Sequence, residues 1–82
     1  MSVHPNPFNG EAIISLEIPR GVHKLSFTVY NVMGQITAKE ELLVRPGPMQ
    51  YRYEALDLST GLYFLHAEAG SYHTTQKLIL LR

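Results

Sequence analysis

The sequence predicts an all-β protein, an antiparallel β-sandwich of six to seven short strands. Apolar residues alternate with polar ones at period two through most of the chain. Turn residues interrupt that alternation roughly every eight to twelve positions. No stretch carries a sustained helical face. Strands this short bury their apolar sides only when one sheet packs on another.

The chain opens on HPNPFN, residues 4–9. Pro5 and Pro7 fix their own φ and lack an N–H, so this stretch is neither helix interior nor central strand. Each also biases the residue before it, His4 or Asn6, toward extended backbone. The expectation is a stiff lead-in over residues 1–9, where a linker ends and Phe8 is the first large apolar anchor. The folded domain is expected over residues 10–82.

Residues 12–18 (AIISLEI) place Ile14, Leu16 and Ile18 on one face and Ile13, Ser15 and Glu17 on the other, and Pro19 to Gly21 ends the strand. Residues 24–30 (KLSFTVY) place Leu25, Phe27 and Val29 inward. Residues 31–34 (NVMG) are a tight-turn signal, because Gly34 takes positive φ without steric cost. Residues 35–44 contain AKEELL, which has helical propensity on its own. Strand is favoured there, because a hairpin turn precedes it directly and RPGP, residues 45–48, breaks it. Residues 49–55 put Met49, Tyr51, Tyr53 and Ala55 on one face, and residues 56–61 form a corner ending in Gly61. Residues 62–69 carry large side chains on both faces, as a central strand does. Residues 70–72 hold the last turn, and residues 74–82 close the chain as an apolar strand.

Eighty-two residues make one domain. A chain of this size buries about 60–65% of its unfolded surface, so the core is thin. Seven Lys and Arg balance seven Asp and Glu, with no basic stripe, which argues against nucleic-acid binding. With no cysteine, neither disulfides nor a thiolate metal site can form. No apolar run approaches the ~20 residues of a membrane span, so membrane insertion is not expected. Residues 1–10 lack the features of a signal peptide.

Catalysis and cofactors are not expected. No serine lies in a G-x-S-x-G context, and the acidic residues are scattered. His66 and His73 would face each other across a two-residue loop at Ala69 and Gly70, close enough to share a cation. Alanine is disfavoured at the first position of such turns, so a longer loop with Gly70 at a bulge is expected, separating the two histidines. Two ligands are in any case half a zinc site. Tyr51 and Tyr53 are spaced as an aromatic platform for a sugar would be, but their neighbours Met49 and Ala55 turn that face toward the core.

Four pieces stand in order along the chain: PNPFN (residues 5–9), VYNVMGQ (29–35), LDLSTGLYFLHAEAG (56–70) and QKLILLR (76–82). Together, covering nearly all of it, they resemble the type A C-terminal sorting domain of the type IX (Por) secretion system of Bacteroidota. The pattern is also similar to the immunoglobulin-like domain of flagellar hook-capping proteins. The resemblance implies an immunoglobulin-like sandwich at the C-terminus of a larger exported cargo. Such a cargo reaches the periplasm by its own Sec signal. An outer-membrane translocon then reads the domain and passes the cargo to the cell surface or medium. In many members a surface sortase removes the domain and joins the cargo to lipopolysaccharide. The resemblance thus implies an address label, not an enzyme.

By resemblance, recognition falls on Pro5, Asn6 and Pro7; on Val29, Tyr30 and Gly34; on Gly61 and Tyr63; and on Lys77, Leu80, Leu81 and Arg82. Cleavage, where it occurs, falls upstream of Pro5. Two positions depart from the pattern: Asn31 stands where Asp is common, and Gln35 where Arg is common. Asn keeps turn competence, whereas Gln35 lacks the bidentate donor of an arginine. A terminal strand ending in Arg82 and a carboxylate offers a handle for capture in a backbone nest or for strand addition. The plainer reading is that it only completes the sandwich. The alternative function is a structural or carbohydrate-binding appendage or spacer of a surface enzyme or adhesin. Free sandwich edges also allow a weak homodimer.

Overall fold

The computed structural model describes residues 1–82 as seven strands and no helix, in two antiparallel sheets packed face to face. The strands are β1 (Ser2–His4), β2 (Glu11–Ile18), β3 (Lys24–Asn31), β4 (Ile36–Leu43), β5 (Gly47–Glu54), β6 (Gly61–Ala69) and β7 (Tyr72–Leu80). One sheet runs β1-β2-β5 and the other β4-β3-β6-β7. The expected sandwich is therefore present, and AKEELL is strand: it pairs along β3, with Phe27 opposite Glu40 and Leu25 opposite Leu42.

The alternation read from the sequence sets which side chains are buried. Ala12, Ile14, Leu16 and Ile18 of β2 meet Leu25, Phe27 and Val29 of β3 and Tyr63, Leu65, Ala67 and Ala69 of β6, all buried. Val3, Phe8, Ala55, Leu78 and Leu80 complete the core. Tyr51 and Tyr53 face inward as expected, tilted against Phe27 and Phe8 with ring centroids 5.3 and 6.3 Å apart. β6 is central, with β3 on one side and β7 on the other.

Four details differ from the sequence reading. Residues 2–4, inside the expected lead-in, already form a strand: Val3 is buried and pairs with Ile14. β5 begins at Gly47, inside the expected break, and Pro48 lies opposite Glu17 on an edge strand, where a missing N–H is tolerated. β7 starts and ends two residues earlier than expected, leaving Leu81 and Arg82 outside the strand. Finally, the β6–β7 loop is the two residues Gly70 and Ser71, with Ala69 opposite Tyr72. Gly70 takes φ +65° and Ser71 does not take positive φ, as a II′ turn requires. This register sets His66 opposite Thr75 and Glu68 opposite His73, so the histidines are diagonal neighbours with rings 5.6 Å apart.

Candidate functional site

The topology gathers parts of all four sequence pieces at one end of the sandwich. β3 ends there, β6 begins there and β7 ends there: Asn31 lies opposite Tyr63, and Gly61 opposite Leu80. Phe8 bridges to Leu80 in parallel, and Ala55 N–H donates to the Gly10 carbonyl at 2.8 Å.

The opening prolines become intelligible in this setting. Between β1 and β2 the chain leaves the three-stranded sheet and runs along the edge of β7. Pro5 and Pro7 have no N–H to offer that edge, and the Asn6 side chain substitutes for them. Its Nδ2 donates to the Lys77 carbonyl at 2.8 Å, and its Oδ1 accepts from Ile79 N–H at 3.0 Å. One amide thus pairs as a neighbouring peptide unit would. Phe8 continues the ladder, donating to the Ile79 carbonyl at 2.9 Å and accepting from Leu81 N–H at 2.8 Å. The Phe8 ring, 3% exposed, anchors the segment in the core. Residues 77–81 therefore do not present a free backbone edge, and strand addition there would have to displace residues 6–8.

The second piece closes the β3–β4 hairpin. Asn31 Oδ1 accepts from Met33 N–H at 2.9 Å and Gln35 N–H at 3.0 Å, an Asx turn. Gly34 sits at φ +79°, where a Cβ would be strained. The two departures from the family pattern meet each other here: Asn31 Nδ2 donates to Gln35 Oε1 at 2.9 Å.

The third piece is a tyrosine corner. Tyr63, near the start of β6, donates its hydroxyl to the Ser59 carbonyl at 2.7 Å, locking the crossing from β5 to β6. A Cβ at Gly61 would lie 3.7 Å from the Tyr63 ring, which is ordinary contact. In the fourth piece Leu80 is fully buried, Leu81 is half exposed, and Arg82 N–H donates to Thr60 Oγ1 at 2.9 Å.

These placements sort the residues named by resemblance. Val29, Gly34, Gly61, Tyr63 and Leu80 serve the core, a turn or the corner, and Asn6 and its flanking prolines serve the β7 clamp. The side chains of Tyr30 and Lys77 do neither. Both point outward from the four-stranded sheet, and neither the Tyr30 hydroxyl nor the Lys77 ammonium has a hydrogen-bond or ion-pair partner. They are joined by Phe64, a residue sequence reasoning missed: Ile36 lies opposite Tyr30, Tyr30 opposite Phe64, and Phe64 opposite Lys77. Beside this row Tyr30, Asn31, Val32, Phe64, His66 and Thr75 line an open depression of about 370 Å³.

No group of three or more His, Asp or Glu side chains is arranged to hold a metal. His66 is engaged with Thr75 Oγ1 at 2.9 Å and with Glu68 at 3.4 Å. On the far side of the four-stranded sheet's outer face, Lys24, 3.1 Å away, holds the Glu41 carboxyl below the usual range. Where β4 and β5 meet, Tyr51 donates its hydroxyl to Glu40. Burial, reinforced by that carboxylate, pushes the Tyr51 hydroxyl up to about 12, and burial also raises Tyr53. On the other sheet Glu11, 2.6 Å from Arg52, raises the guanidinium further.

No curated protein matches the chain. Residues 2–81 match the family described as the secretion system C-terminal sorting domain, and the chain belongs to that family.

Proposed function

We propose that this sorting domain directs a larger Sec-exported cargo, joined upstream of it, from the periplasm through the type IX outer-membrane translocon to the cell surface or medium. The observation that carries the reading is the family match over residues 2–81. The geometry supports it in a specific way. The pieces that carry the resemblance are not scattered: their fold-bearing residues knit one end of the sandwich, so the signal is displayed by a folded unit.

A cargo joined upstream of Ser2 runs into β1 at the edge of the three-stranded sheet. If a sortase separates the two, a cut upstream of Ser2 leaves the sandwich whole. A cut between His4 and Pro5 removes β1 and uncovers the core around Val3. We place the cut upstream of Ser2, and N-terminal sequencing of domain released by a sortase-bearing host reads it directly. The carbohydrate-binding alternative gains nothing from Tyr51 and Tyr53, which face the core.

The test is sufficiency. A reporter with a Sec signal at its N-terminus is made with and without residues 1–82 at its C-terminus, in a host with a working type IX system. Appearance outside the cell only with the domain supports the reading. Equal periplasmic retention of both, with the domain folded, removes it.

A further inference from the structure

The sorting role, on which this step rests, raises the question of which surface of the domain is recognised. Two observations bear on it. The first removes the obvious competitor. Lys77 O, Ile79 N, Ile79 O and Leu81 N are all bonded to Asn6 or Phe8. A partner strand added along this stretch would have to eject Phe8 from the core. Along residues 77–81 only the outward side chains stay open to a partner.

The second is the row Ile36, Tyr30, Phe64 and Lys77 itself. Cross-strand neighbours on one face lie about 5 Å apart at Cβ, so the four side chains form one continuous stripe. Leu62 and Ile79, paired across β6 and β7, extend it on the side of the signature end. Ile36 is 58% exposed. Apolar surface rimmed by polar groups is the usual mark of a protein-binding site. Two cations of this face lack an ion-pair partner, Lys77 at the end of the row and Lys39, opposite Thr28 on the next row, whereas its carboxylates, Glu41 and Glu68, are already engaged.

That charge pattern selects the occupant. A second copy of the chain, laid row on row, brings no countercharge for Lys77. The carboxylates of this face, Glu41 and Glu68, lie two rows away and are engaged with Lys24 and His66. We infer that a protein component of the export apparatus docks on this row, covering Ile36, Tyr30 and Phe64 with apolar side chains and setting a carboxylate against Lys77.

The test uses the reporter ending in residues 1–82. Lys77→Glu and Tyr30→Ser are expected to lower the exported reporter by about tenfold or more, the loss typical of breaking a buried interface contact. Lys77→Arg is expected to stay within about twofold of wild type, because the charge is kept. Glu17→Lys, on the outer face of the other sheet, is expected to change nothing. Melting curves of the isolated domain variants check that each is folded, and exposed Lys77 makes its reversal safe for the fold. Export of Lys77→Glu at the wild-type level, from a wild-type fusion that does depend on the translocon, overturns the docking row and leaves the sorting role standing. A wild-type fusion that shows no such dependence removes the sorting role and this inference together. A dimer of the purified domain that Lys77→Glu dissociates would assign the row to a second copy and also overturn it.

Discussion

At one end of the sandwich, side chains tie loops to the backbone: Asn6 to β7, Asn31 to its own turn, Tyr63 to Ser59 and Thr60 to Arg82. At the other end, residues 19–23, 44–46 and 70–71 make no side-chain hydrogen bond to the backbone. Those turns are closed by backbone bonds, Val22 to Pro19 and Val44 to His23, and by glycines at positive φ, Gly21 and Gly70. A side-chain cap needs one residue type at one spacing, whereas a glycine turn needs only the absence of a Cβ. The first end therefore writes a recognisable signature into the sequence and the second writes almost none. It also follows that the two ends should fail differently: the first by truncation, the second by addition.

The largest effect should come from the anchor shared by the clamp and the core. Phe8→Ala leaves a cavity at a 3%-exposed site and should cost about 3–5 kcal/mol in urea unfolding, a large share of the stability of so small a domain. A loss below about 1 kcal/mol would mean that residues 6–8 do not hold β7 down. Next come matched changes at the two ends. Tyr63→Phe deletes the corner hydrogen bond and should cost about 1–2 kcal/mol. Gly70→Ala should cost a similar amount, about 1–2 kcal/mol, since its φ is +65° and its Cβ would meet Val22 Cγ2 at 2.9 Å. Asn6→Ala should be milder, about 1 kcal/mol, because Lys77 O and Ile79 N–H can turn to water instead. Its sharper readout is hydrogen exchange, where the Ile79 amide should exchange faster while the amides in the core of β3 and β6 hold.

The smallest effect is electrostatic and belongs to neither end. Tyr51 has its hydroxyl raised from 10.0 to about 12 in the folded state. Between those values the native protein keeps a proton that the unfolded chain has lost, so stability is full below pH 10 and falls as pH rises toward 12. Thermal unfolding across this window should show a steeper decline for wild type than for Tyr51→Phe. Equal slopes would assign the decline to other groups.

Much of the fold was legible because alternation and turn residues agree. Leu25, Phe27 and Val29 were placed inward by period alone, and Gly34 marked its turn because few other residues tolerate that φ. β1 was not legible: three residues, SVH, carry no period, and the prolines after them look like a beginning although they are a crossing between sheets. The last hairpin was misread for a related reason. Ala69-Gly70 and Gly70-Ser71 both offer a glycine, and only the II′ geometry, with glycine first, distinguishes them. Within the candidate site, Tyr30 and Lys77 were found through the pattern they share with a family. Phe64 was missed because an apolar residue on a central strand reads as core, and its outward direction depends on a register the sequence does not state. The substitution of Asn6 for a peptide unit was likewise invisible, since its partners lie more than seventy residues away.

The proposal that a type IX translocon reads this folded domain as a sorting signal has a direct test. The most direct measurement is the amount of reporter outside the cell when residues 1–82 form its C-terminus, compared between otherwise identical hosts with and without that translocon. Surface or medium reporter is expected in the first host and periplasmic retention in the second. Equal distribution in both hosts, with the domain shown to be folded, would contradict the proposal.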